Sequence, residues 1–100
     1  MLKEVFIEAK KIVEQGWCQN SWAQNKVGDP VLVHSPNACS WCMGGAIRVA
    51  IKRLKYPTSY SKVENLFKQK FGVSFPSFND QSTKEEVLKA LEDLINETNS

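Results

Sequence analysis

The residues best suited to chemistry in this chain are its three cysteines and its single histidine. Cys39 and Cys42 form a C-x-x-C pair, and His34 lies shortly before it. Cys18 lies further upstream. One imidazole and three thiolates are a ligand set that binds structural zinc, so a zinc site is one hypothesis. We favour the alternative, in which Cys42 belongs to the core and the protein needs neither a metal nor another cofactor.

The same residues offer nucleophilic catalysis as another alternative. A thiol close to the N-terminus of a helix has a lowered pKa, and the thiolate is the reactive form. Cys42 or Cys39 would be the nucleophile, and His34 would be the base. Asn79 or Asp80 would orient the imidazole. No local protease signature surrounds either cysteine, so a non-catalytic protein is our first expectation.

A cluster of aromatic and amide side chains after the first predicted helix resembles the composition of a recognition surface. Trp17 and Trp22 are flanked by polar residues, and tryptophan is enriched at binding hot spots. We expect a contact surface that combines the segment from Trp17 to Gln24 with the exposed edge of the central helix. Trp41, in contrast, is expected to anchor the core. The candidate binding residues are Trp17, Trp22, Gln24, Trp41, Gly44 and Gly45.

Gly44 and Gly45 lie inside the predicted central helix, where each costs roughly 1 kcal/mol relative to alanine. Another backbone that crosses the helix closely would offset this cost. A ligand or partner surface that approaches the bare helix backbone would also offset it. The sequence leaves both explanations open.

Residues 35–55 are predicted to form this central helix, around which the rest of the chain packs. Ser35 would cap its N-terminus, and Pro36 would occupy the first helical position. Apolar side chains cover nearly its whole circumference, which is typical of a buried helix. The C-x-x-C pair would then lie in its first turns.

Three further helices are predicted from apolar residues at helical spacing. The first spans Leu2 to Gln15 and ends at Gly16. Two capping boxes mark where the last two helices begin. They are Ser61 with Glu64 and Thr83 with Glu86.

The remaining segments are expected to be short and irregular. Residues 22–24 and 31–33 are predicted to pair as a small hairpin, and residues 73–80 are predicted to form a loop. The predicted fold is therefore mostly α, with about four helices. A central apolar helix is wrapped by three amphipathic helices, and a short β-hairpin or irregular segment lies between the first two helices.

Length and composition fit one globular domain over residues 1–100, because the chain is 42% hydrophobic and 24% charged. The net charge of +2 is too small to favour nucleic acid as a partner, so we do not expect one. The cations Arg48, Lys52 and Lys55 are those that a helix dipole favours. No apolar run is long enough for a membrane span, and the N-terminus does not resemble a secretory signal. With an odd number of cysteines, these features predict a cytoplasmic protein with free thiols.

Four short motifs are spread over most of the chain in a distinctive order. They are Gly16-Trp17, Trp41-Cys42 with Gly45-Ala46, Asn79-Asp80, and Thr83 with Glu85-Glu86-Val87. Together they resemble a family of small bacterial and phage proteins catalogued as a domain of unknown function (number 6197). The resemblance implies a compact, mostly helical domain and brings no known activity. Cys42 belongs to these motifs whereas Cys18 and Cys39 do not, which weakens the zinc hypothesis.

These observations predict a small cytoplasmic binding or accessory protein without catalytic activity. The resemblance adds a phage or mobile-element origin. The target would be a host protein or a small molecule, and the protein would be a monomer or a homodimer.

Overall fold

The computed structural model describes residues 2–98, which form five helices and two short strands. The mostly α fold class is therefore confirmed, including a short β element between the first two long helices. None of the helices in these residues is long and apolar enough to cross a bilayer. In chain order the elements are α1 (Leu2–Gln15), β1 (Ala23–Gln24), β2 (Ser40–Trp41), α2 (Met43–Leu54), α3 (Tyr60–Phe71), α4 (Phe75–Asp80) and α5 (Lys84–Glu97).

Helix α1 lies between α2 and α5 and contacts both along its length. Its apolar side chains recur at helical spacing, which places Val5, Phe6, Ala9, Ile12 and Val13 in the core. The apolar stripe of α5 packs mainly against α1 rather than against α2. The central helix α2 thus contacts α1 most extensively, and α5 is held mainly by α1.

The central helix begins at Met43, so the prediction that Ser35 caps it is wrong. The Ser35 hydroxyl accepts a hydrogen bond from the Asn37 backbone N–H at 3.1 Å, within a local turn. The chain then stays extended because Cys39 N–H donates to the Gln24 carbonyl and Trp41 N–H donates to the Gly16 carbonyl. The C-x-x-C pair consequently lies before the helix and not in its first turns.

The predicted burial of the central helix is confirmed in its first two turns. The buried residues are Met43, Gly44, Gly45, Ala46, Ile47, Val49 and Ala50. Arg48 is exposed between them, and Leu54 is exposed at the C-terminal end. Lys55 ends the helix in a left-handed conformation with φ 50°.

The strand at Ala23–Gln24 pairs with a different partner from the one predicted. Ala23 lies opposite Trp41 and Gln24 opposite Ser40, in an antiparallel register. Residues 31–33 do not form a strand, although Val31 N–H donates to the Ala23 carbonyl at 3.0 Å. Gln24 also forms an isolated bridge with Pro30, which has no N–H with which to extend a ladder.

Two predicted helix boundaries change for local reasons. Ser59, and not Ser61, caps α3. Glu64 is thereby free to accept hydrogen bonds from the Tyr60 hydroxyl and the Phe75 N–H, both at 3.1 Å. The capping box of Thr83 and Glu86 at the start of α5 is confirmed.

The segment predicted to be a loop over residues 73–80 contains the short helix α4. Ser74 caps it by accepting from the Ser77 N–H, and Pro76 lies in its first turn, where no backbone donor is needed. Phe75 is completely buried at its start. Asn79 and Asp80, at the end of this helix, lie at the base of the loop that follows α1.

Candidate functional site

Asn79 is a fully buried polar residue that joins three parts of the chain. Its side-chain oxygen accepts from the Trp17 indole N–H at 2.7 Å and from the Met43 N–H at 2.9 Å. Its amide nitrogen donates to the Cys18 carbonyl at 3.0 Å and to Asp80 Oδ1 at 3.1 Å. The side chain thus links the segment after α1 to the start of α2.

The segment at Trp22 crosses α2 directly over Gly45. The Trp22 carbonyl accepts from the Cys42 N–H at 3.2 Å. A Cβ on Gly45 would overlap that carbonyl oxygen at less than 3.0 Å, a separation that real Cβ atoms essentially never show. A crossing backbone therefore accounts for this helix glycine.

Gly44 makes room for aromatic side chains instead. A Cβ at this position would lie 2.7 Å from a ring carbon of Trp22 and 2.7 Å from the Tyr60 hydroxyl oxygen. The absence of a side chain lets both rings approach the helix. Gly44 and Gly45 are buried beneath Trp22, so their contribution to any binding surface is to seat that residue.

The indole of Trp22 is held in place from two sides while 40% of the residue stays exposed. It packs edge-to-face on Tyr60, with ring centroids 5.7 Å apart. The Arg48 guanidinium lies 4.8 Å from the Trp22 ring centroid and 4.0 Å from that of Tyr60. Such cation–π contacts fix the ring without covering it.

A hollow of about 230 Å³ lies beside this indole. We call its lining residues the Trp22 surface: Trp22, Val31, Leu32, Val33 and Arg48. Leu32 is 83% exposed, which is the largest value among the exposed large apolar residues of the described chain. The surface therefore combines an immobilised aromatic ring, an exposed aliphatic side chain and a cation.

The predicted binding residues Trp17, Gln24 and Trp41 do not line this hollow. Trp17 donates to Asn79, and Trp41 is only 7% exposed and donates its indole N–H to the Val33 carbonyl at 3.1 Å. The Gln24 amide donates within its own loop, to the Gln19 carbonyl and to the Ser21 hydroxyl.

The structure also adds two residues that sequence reasoning missed. Leu32 and Arg48 line the hollow, although the former was expected in a strand and the latter among helix-end cations. Arg48 is the one charged residue in the apolar first two turns of α2, one turn after Gly44, and this was the available signal.

Cys42 caps α2 and is buried. Its sulfur accepts from the Gly45 N–H at 3.3 Å, but burial raises the pKa of the thiol to about 11. Loss of hydration outweighs the favourable helix terminus, so the thiol is protonated at neutral pH.

A second cleft is lined by His34, Lys52 and Arg53, and Cys42 is not part of its wall. The arrangement does not bring Cys42, His34 and Asn79 together.

The burial of the cysteines predicts their order of reactivity. Cys39 is exposed, whereas Cys18 and Cys42 are buried and their thiol pKa values are raised by burial. Iodoacetamide at pH 7.5 is therefore expected to modify one thiol per folded chain rapidly and the other two only after unfolding. Peptide mass spectrometry of timed samples would identify the modified residue. Rapid alkylation of Cys42 in the folded protein would show that it is activated.

The zinc hypothesis is not supported by the geometry. Among residues 2–98, no group of three or more histidine, cysteine or acidic side chains is arranged to hold a metal ion. His34 and Cys39 are exposed on the connecting segment, whereas Cys18 and Cys42 are buried beneath it.

These features define a small, mostly helical protein whose tryptophan-bearing loop is fastened across a glycine-containing helix. A family model for a family of unknown function (DUF6197) matches residues 2–97. The chain belongs to this family, as the four motifs had indicated. No match was found among curated proteins or among solved structures.

Proposed function

We propose that this protein is a small, non-catalytic binding protein that docks onto a partner protein through the Trp22 surface. The observation that carries this proposal is the 83% exposure of Leu32 beside an indole that is 40% exposed. Burying such apolar area against a partner is favourable, at about 25 cal/mol per Å².

The organisation of the surface favours a protein partner. Tryptophan and arginine are the side chains most enriched at interface hot spots. Because Tyr60 and Arg48 already hold the Trp22 ring, little side-chain entropy is lost when a partner covers it. A shallow hollow of about 230 Å³ fits one inserted side chain rather than a whole small ligand.

The positive charge at the surface supports a partner of complementary charge. Arg48 and Lys52 are exposed one helical turn apart on α2, next to the apolar residues. A partner segment that places an aliphatic or aromatic side chain next to aspartate or glutamate would complement both features. We therefore assign an acidic, partly apolar protein segment as the target.

The cellular setting is part of the same proposal. Three free cysteines, two of them buried, suit a reducing compartment, which supports a cytoplasmic location. The phage or mobile-element origin rests on the resemblance to the family alone, and the target would then be a host protein.

Replacing Leu32 with aspartate is expected to abolish partner capture without changing the melting temperature. The side chain is 83% exposed, so it contributes little to stability, whereas a carboxylate there repels an acidic partner. The measurement is affinity capture from an extract of the protein's own cells, with quantitative mass spectrometry. Leu66→Asp is the matched control, because Leu66 is 50% exposed on α3, outside the Trp22 surface.

The comparison between the two variants decides the outcome. The proposal requires a captured protein that Leu32→Asp loses and Leu66→Asp keeps, and whose retention weakens at high salt. Equal capture by wild type and Leu32→Asp would contradict it.

A further inference from the structure

A second cleft lies on the other side of Val33 from the Trp22 surface. Its volume is about 420 Å³, within the range of small-molecule sites. It is formed where the segment after Val31 folds back over α2. Its lining residues are Val33, His34, Ser35, Pro36, Ala38, Trp41, Val49, Lys52 and Arg53.

The cationic groups of this cleft are only partly neutralised. Arg53 pairs with Glu8 of α1 at 3.2 Å, and that pair is partly exposed. Lys52 has no ion-pair partner among residues 2–98. The cleft therefore has an uncompensated ammonium group at its rim.

The pKa of His34 also responds to the nearby positive charges. Although His34 is exposed, some loss of hydration and then the charges of Lys52 and Arg48 lower the pKa of its imidazole. The charged groups around the ring are thus Arg48, Lys52 and Arg53 on α2, with Glu8 on α1 beyond Arg53. An anion bound in the cleft would interact favourably with Lys52 and Arg53, which line it.

Apart from Ser35, the rest of the cleft wall is apolar. Trp41 is held by its hydrogen bond to the Val33 carbonyl, and Val49 is buried below it. Ala38 and Pro36 complete the wall. A flat hydrocarbon body could lie on these residues while its charged end faced Lys52.

We propose that this cleft binds a small organic anion with a flat apolar body and one carboxylate, sulfonate or phosphate group. Lys52 is the principal anion contact, His34 and Arg53 flank it, and Trp41 with Val49 forms the floor. This site adjoins the Trp22 surface at Val33, and its ligand goes beyond the docking function proposed above.

Benzenesulfonate is a suitable probe because it stays a monoanion across the pH range in which His34 titrates. Benzenesulfonamide is its neutral counterpart, and inorganic sulfate is the anion without an apolar body. Each is titrated into the full chain and followed by heteronuclear NMR, with the indole N–H signals of the tryptophans as reporters. Lys52→Gln is the test variant, and Lys68→Gln is the control because it removes the same charge from exposed α3.

Benzenesulfonate is expected to shift the Trp41 indole signal, to leave that of Trp17 in place and to raise the pKa of His34. The sign follows from linkage, since a bound anion favours the protonated imidazole and binding tightens as pH falls. Benzenesulfonamide and Lys52→Gln are each expected to weaken binding about two- to fivefold, the effect of one exposed ionic contact. Lys68→Gln should bind like wild type.

Several results would overturn the proposal. Equal affinity for the sulfonamide would show an apolar cleft without an anion site. Equal affinity for sulfate would show charge attraction that does not use the floor. No shift at Trp41 would show that the cleft is not a site, and the unchanged spectrum elsewhere would establish that the protein was folded.

Discussion

Asn79→Ala is expected to lower the free energy of unfolding by about 3–5 kcal/mol, as a buried polar network is broken. The substitution leaves the Trp17 indole N–H, the Met43 N–H and the Cys18 carbonyl without their partner. A small domain has only about 5–15 kcal/mol of stability, so this loss would be a large fraction of the total. Urea denaturation followed by circular dichroism measures the change.

The control for this substitution is Asn65→Ala. Asn65 is an exposed residue in the middle of α3, so its truncation should change stability by less than about 0.5 kcal/mol. If Asn79→Ala were as stable as Asn65→Ala, the buried amide would not be what joins the loop to α2.

Gly45→Ala is expected to destabilise the protein by about 2–3 kcal/mol, although alanine favours helices. The gain in helix propensity is roughly 1 kcal/mol. This gain is outweighed because the new Cβ overlaps the Trp22 carbonyl oxygen. The Trp22 backbone can move away only if it loses the hydrogen bond from the Cys42 N–H. Thermal and urea denaturation would both report the loss.

Gly44→Ala is the matched comparison in the same helix, with the same gain in propensity. Its Cβ would meet the ends of the Trp22 and Tyr60 side chains, which can rotate away. We expect a smaller loss of stability together with a displaced, more mobile Trp22, visible as a change in tryptophan fluorescence. A Gly45→Ala variant that is more stable than wild type would disprove the crossing backbone.

The sequence predicted the elements that depend on local signals. Apolar periodicity gave α1 over the residues observed, and Thr83 with Glu86 marked the start of α5. Gly72 ends α3 with φ 79°, a conformation that glycine adopts without strain.

Elements that depend on distant partners could not be predicted in this way. Ser35 does accept a local backbone hydrogen bond, yet the helix starts at Met43 because residues 39–41 pair with Gly16 and Gln24. Those pairings are invisible to a local capping rule. The three-residue apolar run at 31–33 resembled a buried strand, which concealed the exposure of Leu32.

Three of the four motifs that identify the family meet at the base of the tryptophan-bearing loop. A Cβ on Gly16 would overlap the Cys39 carbonyl, Trp17 donates to Asn79, Cys42 caps α2, and Gly45 admits Trp22. They explain how the scaffold is fastened. The Trp22 surface is formed by residues outside these motifs. The motifs therefore indicate the fold but not a binding partner.

The most direct test of the Trp22 surface is photocrosslinking from position 32 in cells. A photoreactive phenylalanine derivative replaces Leu32 in one strain and the exposed Leu66 of α3 in another. The proposed docking predicts one dominant protein adduct from position 32, its loss when Arg48→Glu is added, and none from position 66. Equal adducts from both positions, or none from position 32, would contradict a docking function for this surface.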